Sequence, residues 1–526
     1  MSPRLHRLFA VIRADVKIRL RRPSTAVIFV LLSALPYLWI PAPSTGKTLM
    51  SIGDQRVLYN SAAIGAATAS LATVFIGLAG FYVISNALRR DVLTRVGFVV
   101  ASTTMRGSEY LAGKFAGNVV FLSIFTFGFM LTAMAMVVVR GEAPLEPLVF
   151  ALQYLLLLPP TIMFVSAVAL LFECTPLLRS KAGDVFYLFL WAGSLGIFAS
   201  ILEKTGSSTV AASFDITGIG FLMQQMKQTF GTDSMSIGSS PFDASRGLAV
   251  FNGLGVGSGW LLPRIASTLW PLSLLALARL FFHRFDPTRV RVMPHEQSGR
   301  TWLGRLNLLS KPFARLFVRA GNAVEALPGR PSVVRSAITD ALASIAAFPL
   351  AAVAILGLAV ASAFAEPKGV LPIAFVACAV ALAGISSREK HAGTTALVFA
   401  APLLRERFVL WKFLSALFVA LAFLLIPIAR ALAVRPASAF ALATGVALLV
   451  AAATALGIFS SNAKTFLFAF LTLWYIAVSD HGASPELDFA GWAGVATTQV
   501  TATYAAIALA FVIGAQAFHT HQLRRN

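Results

Sequence analysis

The sequence predicts an all-α polytopic membrane protein of about twelve transmembrane helices, arranged as two parallel six-helix repeats. Three observations carry this expectation. Of the 526 residues, 57% are hydrophobic and only 12% are charged, about half the charged share of a soluble domain, and the mean hydropathy is +0.78. Apolar runs near the ~20 residues that cross a bilayer recur along the chain, and in lipid such runs must be helices because no water satisfies their backbone. One basic, proline-rich stretch near the middle divides these runs into two sets of six.

The spans are read at 25–41, 62–87, 115–139, 147–172, 185–202, 260–282, 345–364, 370–386, 413–434, 438–460, 465–479 and 498–518. The lead before the first span holds Arg4, Arg7, Arg13, Lys17, Arg19, Arg21 and Arg22, too long and too basic for a cleavable signal, so the first span is read as permanent. Basic loops stay in the cytoplasm. With both termini inside, the basic segments 1–24, 89–114, 173–184, 283–344, 387–412 and 461–464 fall inside, and the poorly basic loops 203–259 and 480–497 fall outside. The net charge of +21 thus reads as topology plus contact with anionic membrane lipids, not as a nucleic-acid surface. Cys174 and Cys378 cannot build a disulfide framework and read as packing residues.

Residues 283–344 form a basic cytoplasmic linker that includes the start of a second-half amphipathic helix. The linker holds ten Lys/Arg against four Asp/Glu, with Pro287, Pro294, Pro312, Pro328 and Pro331. It separates a first half, 1–282, from a second, 345–526. A gap-free shift lays RRDVLTRVGFVVASTTMRGSEYLAGKF on SREKHAGTTALVFAAPLLRERFVLWKF, placing Arg90 on Arg388, Asp91 on Glu389, Val100 on Val398, Lys114 on Lys412 and Phe115 on Phe413. Few letters match, but the order of features repeats. Each copy lies between the second and third spans of its half, and each half opens on an amphipathic candidate, FAVIRADVKIRLRRP and VVRSAITDALASIAAFP. Each also has a second basic break between its fourth and fifth spans and an external loop with an acid in apolar company, Asp215 or Asp488. An even number of spans per half gives both halves one orientation, related by a pseudo-two-fold axis along the membrane normal.

Within the second copy, Thr394 or Thr395 is placed to cap a short helix, Glu389 stands near its positive end and Pro402 should stop it. Such an element is too short and too charged to span. It either lies in the interface and anchors topology or presents a docking surface to a cytoplasmic partner, once per half.

The segment resembles the cytoplasmic coupling region of type-2 ABC exporter permeases: an acidic residue, Gly-Thr, apolar residues, Pro, then Lys opening the third span. In the second half Glu389, Gly393, Thr394, Pro402 and Lys412 match, preceded by Arg388. The first half keeps Arg90, Asp91 and Lys114 but has Arg95 and Val96 in place of Gly-Thr and Thr104 in place of Pro. The resemblance implies a permease of two fused halves in a bacterial cytoplasmic (inner) membrane, each half carrying a short coupling helix. It would have no catalytic role or cofactor of its own, and would be served by two cytoplasmic ABC ATPase subunits that hold the ATP and Mg. The cargo is then hydrophobic or amphipathic, such as a lipid, a peptide or a lipophilic drug.

Other chemistry is poorly represented. PAPSTGKT lacks the first glycine of a phosphate-binding loop, its place being taken by Pro41. The seven histidines show no H-E-x-x-H spacing. The external acids Asp480, Glu486 and Asp488 read as a solvated loop. The principal alternative is an ion-coupled twelve-span secondary transporter, which needs an ionisable residue within the membrane; none of the twelve spans contains Asp or Glu. A membrane-face enzyme acting on lipids should show clustered acids or histidines at one interface, and none stands out. Between Asp215 and Thr232 the pattern predicts a short amphipathic helix with Leu222, Met223, Met226 and Phe230 on one face.

Overall fold

The structure is a computed structural model that describes all residues except 1–2, 22, 43–45, 54, 177, 180, 206–211, 233, 243, 284, 286–301, 330–331, 348–349, 481, 483 and 526. Residues 286–301 of the predicted linker, with Pro287 and Pro294, and also Pro331, lie outside the described residues. The chain divides into two compact units, Met1–Val292 and Met293–Asn526.

The first unit opens with α1 (Pro3–Leu20) and α2 (Pro23–Trp39), followed by strands β1 (Lys47–Ile52) and β2 (Gln55–Val57). Next come α3 (Ser61–Ile84), the short helices α4 (Ala87–Leu93) and α5 (Val96–Ser102), then α6 (Gly107–Arg140), α7 (Pro147–Cys174) and α8 (Lys181–Thr205). It closes with α9 (Ile219–Phe230), β3 (Met235–Pro241), β4 (Leu248–Ala249), α10 (Ser258–Leu269) and α11 (Leu272–Phe281). α3 is the buried centre, packed on α6, α7 and α8. Its small residues allow this: a side chain at Gly65 would press on Phe150 and Gln153, and one at Gly77 on Trp191.

The second unit runs α12 (Trp302–Glu325), α13 (Val333–Ala347), α14 (Leu350–Phe364) and α15 (Pro367–Leu382). Three short helices follow, α16 (Arg388–Ala392), α17 (Thr395–Phe399) and α18 (Pro402–Glu406), and then α19 (Phe408–Val434), α20 (Ala439–Ser460), α21 (Ala463–Ser479) and α22 (Thr498–Arg525). α19 packs on α13, α14, α15 and α20, and α20 packs on α22.

This is a polytopic, mainly helical membrane protein. Among the described residues seven helices are long and apolar enough to cross a bilayer, and α13 with α14 forms an eighth candidate bent by 92°. The remaining predicted spans correspond to shorter apolar helices at Ile28–Tyr37, Gly183–Leu195, Pro367–Leu382 and Ala463–Ser479.

Strands are the first departure from the sequence reading. β1 pairs antiparallel with β2 and β3, and β2 pairs parallel with β4, so the loop before α3 and the long loop after α8 share one sheet. Lys47 and Thr48 of the GKT stretch pair with Pro241 and Ser240, which makes that stretch a strand entry and no phosphate loop.

The burial of the loop acid Asp488 is the second departure, and Asp215 is buried in the same way. Asp215 is fully buried and accepts from the Gly218 amide at 2.8 Å and the Phe221 amide at 2.9 Å, fixing the start of α9. Asp488, read above as solvated, is 6% exposed and accepts from the amides of Ala493, Gly494, Val495 and Ala496. α9 forms within the predicted window but turns Phe221, Leu222, Gln225 and Met226 into the protein. Nearby, Arg264 donates to the Leu156 carbonyl at 2.9 Å, an acceptor that Pro160, which has no N–H, leaves without its helical partner.

Candidate functional site

In the first unit, Tyr110, Lys114 and Asn118 follow one another at four-residue spacing and so share one face of α6. Lys114 and Asn118 are buried. Asp15 and Arg19 stand one turn apart on α1, both buried. Asp15 Oδ1 accepts from Arg90 Nη2 at 2.6 Å and Lys114 Nζ at 2.8 Å, and its Oδ2 lies 2.7 Å from Arg19 Nη2. Lys114 Nζ also lies 2.6 Å from Asp91 Oδ2, which accepts the Tyr110 hydroxyl. Arg19 donates onward to Asn118 Oδ1 at 2.7 Å. One ionic cluster therefore ties α1, α4 and α6 together. Burial pushes the Asp15 carboxyl up, but the Arg19, Lys114 and Arg90 cations outweigh it and hold the group at about 2, below the usual 3.8.

The second unit builds a parallel cluster. Asp340 on α13 pairs with Arg388 of α16 and, at 3.2 Å, with Lys412 of α19. Lys412 is fully buried, binds Glu389, and lies 3.9 Å above the Trp411 ring, a cation–π contact. Arg388 also donates to Ser344 at 2.8 Å. Of the predicted site residues, the structure thus joins Arg90, Asp91 and Lys114 in one cluster and Arg388, Glu389 and Lys412 in the other. Glu389 lies on α16, where it meets Lys412, and so does not stand at the positive end of α17 as the sequence reading had it.

Gly393, Thr394 and Pro402 shape the loop between these groups. Gly393 ends α16 in the left-handed region, at φ 69°. Arg95 occupies the aligned place in the first unit with φ 60°, so the turn is kept although the glycine is not. Thr394 stands at the start of α17 but its hydroxyl makes no capping bond there; it leans on the Glu389 carbonyl instead. Pro402 does not stop α17, which ends at Phe399, but opens α18, where its missing N–H and fixed φ suit the first helical position.

These turns leave apolar side chains outward. Leu93, Val96 and Val99 are 53%, 48% and 65% exposed, and Leu397 is 76% exposed. From beneath, each short segment is held by the chain that ends its unit. Phe285 packs against Gly97, where any added carbon would lie 2.7 Å from the ring, and stacks edge-on to Tyr110. His519 of α22 bonds the Arg405 carbonyl at 2.9 Å and packs on Phe399 and Phe408. Glu173 accepts from the Ala87 and Leu88 amides at 3.0 and 2.6 Å, anchoring the start of α4 to α7.

Sequence reasoning missed Asp15, Arg19, Tyr110 and Asn118 in the first cluster, and Asp340, Ser344 and Trp411 in the second. Asp340 carried a signal: it is the one charge between Ser336 and Pro349, on an otherwise apolar helix that cannot bury a carboxylate without a partner. Asp15, set among Arg13, Lys17 and Arg19, was hidden by its neighbours. Among the described residues no three metal-ligating side chains converge.

Comparison with family models, with characterised proteins and with solved structures found no match.

Proposed function

We propose that the chain is the permease subunit of an ATP-driven exporter, with twelve spans in two repeats, both termini cytoplasmic, in a bacterial cytoplasmic membrane. Two ATPase subunits, holding ATP and Mg, dock on α4–α5 and on α16–α18, and the cargo is hydrophobic or amphipathic. One observation supports this above the rest: in each unit a short segment with outward apolar side chains is bolted by a buried ionic cluster to an amphipathic helix and to the long helix that follows. A push on the short segment is then delivered to α6 or α19, because interlocked buried charges resist separation more than apolar contacts that can slide. Arg90, Asp91, Lys114, Arg388, Glu389 and Lys412 act as the bolts, and Val96, Val99 and Leu397 form the contact surface.

This arrangement also favours the exporter over an ion-coupled carrier. Asp15, Asp91, Asp340 and Glu389 are each matched to fixed cations, whereas a coupling site must take up and release its ion.

The test is purification from native membranes in mild detergent. An ATPase subunit should co-purify, and Leu397→Asp together with Val99→Asp should abolish its retention while membrane insertion is unchanged. Isolation without any ATPase, or retention by the double variant, overturns the reading.

A further inference from the structure

Between the start of α19 and the last turns of α22 runs an open groove of about 800 Å³. Its character changes along its length. Along α22 the lining passes from Ile513, 60% exposed, through Gln516 to His521 and Arg524, and Leu410, 46% exposed, and Phe413 face it from α19. His519, on a different face of the same helix, is buried against Phe408 and Arg405, so the end of α22 is fixed while the groove side stays open. From Ile513 to Arg524 the helix rises ~16 Å at ~1.5 Å per residue, close to the ~15 Å that is half a bilayer's hydrocarbon thickness. The described residues that line the groove include no carboxylate.

We propose that this groove holds one anionic glycerophospholipid, its acyl chain along Leu410, Phe413 and Ile513 and its headgroup phosphate against His521 and Arg524. The apolar end is too exposed for water and is flanked by helices of spanning length, so a lipid chain covers it. The basic end then faces the headgroup layer, where two cationic or hydrogen-bonding donors with no acid among the described lining residues select a headgroup of net negative charge over one that also carries a cationic group. This inference needs only that the protein is embedded in a bilayer; it stands whether or not an ATPase docks on the chain.

Native mass spectrometry of the full chain in detergent tests it, with phosphatidylglycerol and phosphatidylcholine of identical acyl chains added separately. Phosphatidylglycerol adducts should exceed phosphatidylcholine adducts, and Arg524→Gln should lower the first about fivefold with little effect on the second. Ala517→Trp, which fills the groove without touching charge, should lower both. Arg430→Gln, at the far end of α19, should change neither. Equal adducts for the two lipids, or phosphatidylglycerol adducts unchanged by Arg524→Gln, overturn the anionic assignment. Adducts that survive Ala517→Trp, or a second copy of the chain retained in place of lipid, overturn the groove as a lipid site.

Discussion

The two ionic clusters occupy matching places in their units, yet they are built differently. The first has three cations around two carboxylates and sets Arg90 16% exposed; the second has two cations for two carboxylates and leaves Arg388 39% exposed. Where Arg19 reaches Asn118 in the first, the second has Ser344 and a tryptophan under its lysine. What both retain is an acid on the amphipathic helix meeting a buried lysine on the long helix. The shared requirement is a link between those two elements, and the surrounding charges are adjustable. Such clusters are weak contributors to net stability, but removing one member strands the others in a poor solvent for charge.

That comparison can be broken most sharply at Asp15. Asp15→Asn leaves three cations against Asp91 alone and should destabilise the first unit by roughly 3–5 kcal/mol, measured by thermal unfolding in detergent. The same residue sets a pH signature. Because its folded pKa lies below the unfolded value, its contribution is complete above about 3.8 and is lost as pH falls towards about 2. Unfolding curves for Asp15→Asn should therefore lack the acid-side loss that the unaltered chain shows in that window. Next in size, Arg90→Gln should destabilise more than Arg388→Gln, since the second guanidinium is half in solvent and screened; equal effects would show that exposure does not govern the difference. Smaller still, Arg95→Gly should stabilise and Gly393→Ala destabilise, each by about 1 kcal/mol, because both positions need a left-handed backbone. Least of all, Glu109→Gln, which loses the ion pairs with Arg4 and Arg7 but keeps a side-chain oxygen to accept from the Arg106 amide, should stay within roughly 1 kcal/mol.

The long helices were legible because lipid imposes one period and one length on them. The short segments were legible through the gap-free alignment of the two stretches, which lifted Arg90, Asp91 and Lys114 out of a basic loop by setting them against Arg388, Glu389 and Lys412. The sheet was not legible: its register joins Lys47 to Pro241, and two strands so far apart give no local alternation strong enough to find. Asp488 was misread because a carboxylate wrapped by backbone amides looks, as a letter, like any loop acid. Arg95 hid its turn because only glycine advertises the left-handed region, and an arginine held there by its surroundings does not.

The clusters also constrain how the chain is made. Asp15 leaves the ribosome 99 positions before Lys114, but Arg19 one turn along the same helix already neutralises it, so α1 can settle at the membrane surface at once. Asp340 precedes Lys412 by 72 positions, and its own next turn offers Ser344 and no cation. Until α16 and α19 arrive, α13 carries an unmatched acid that keeps it at the water's edge. The first unit can therefore assemble as it emerges, while in the second α13 must wait for α16 and α19 before it finds its place.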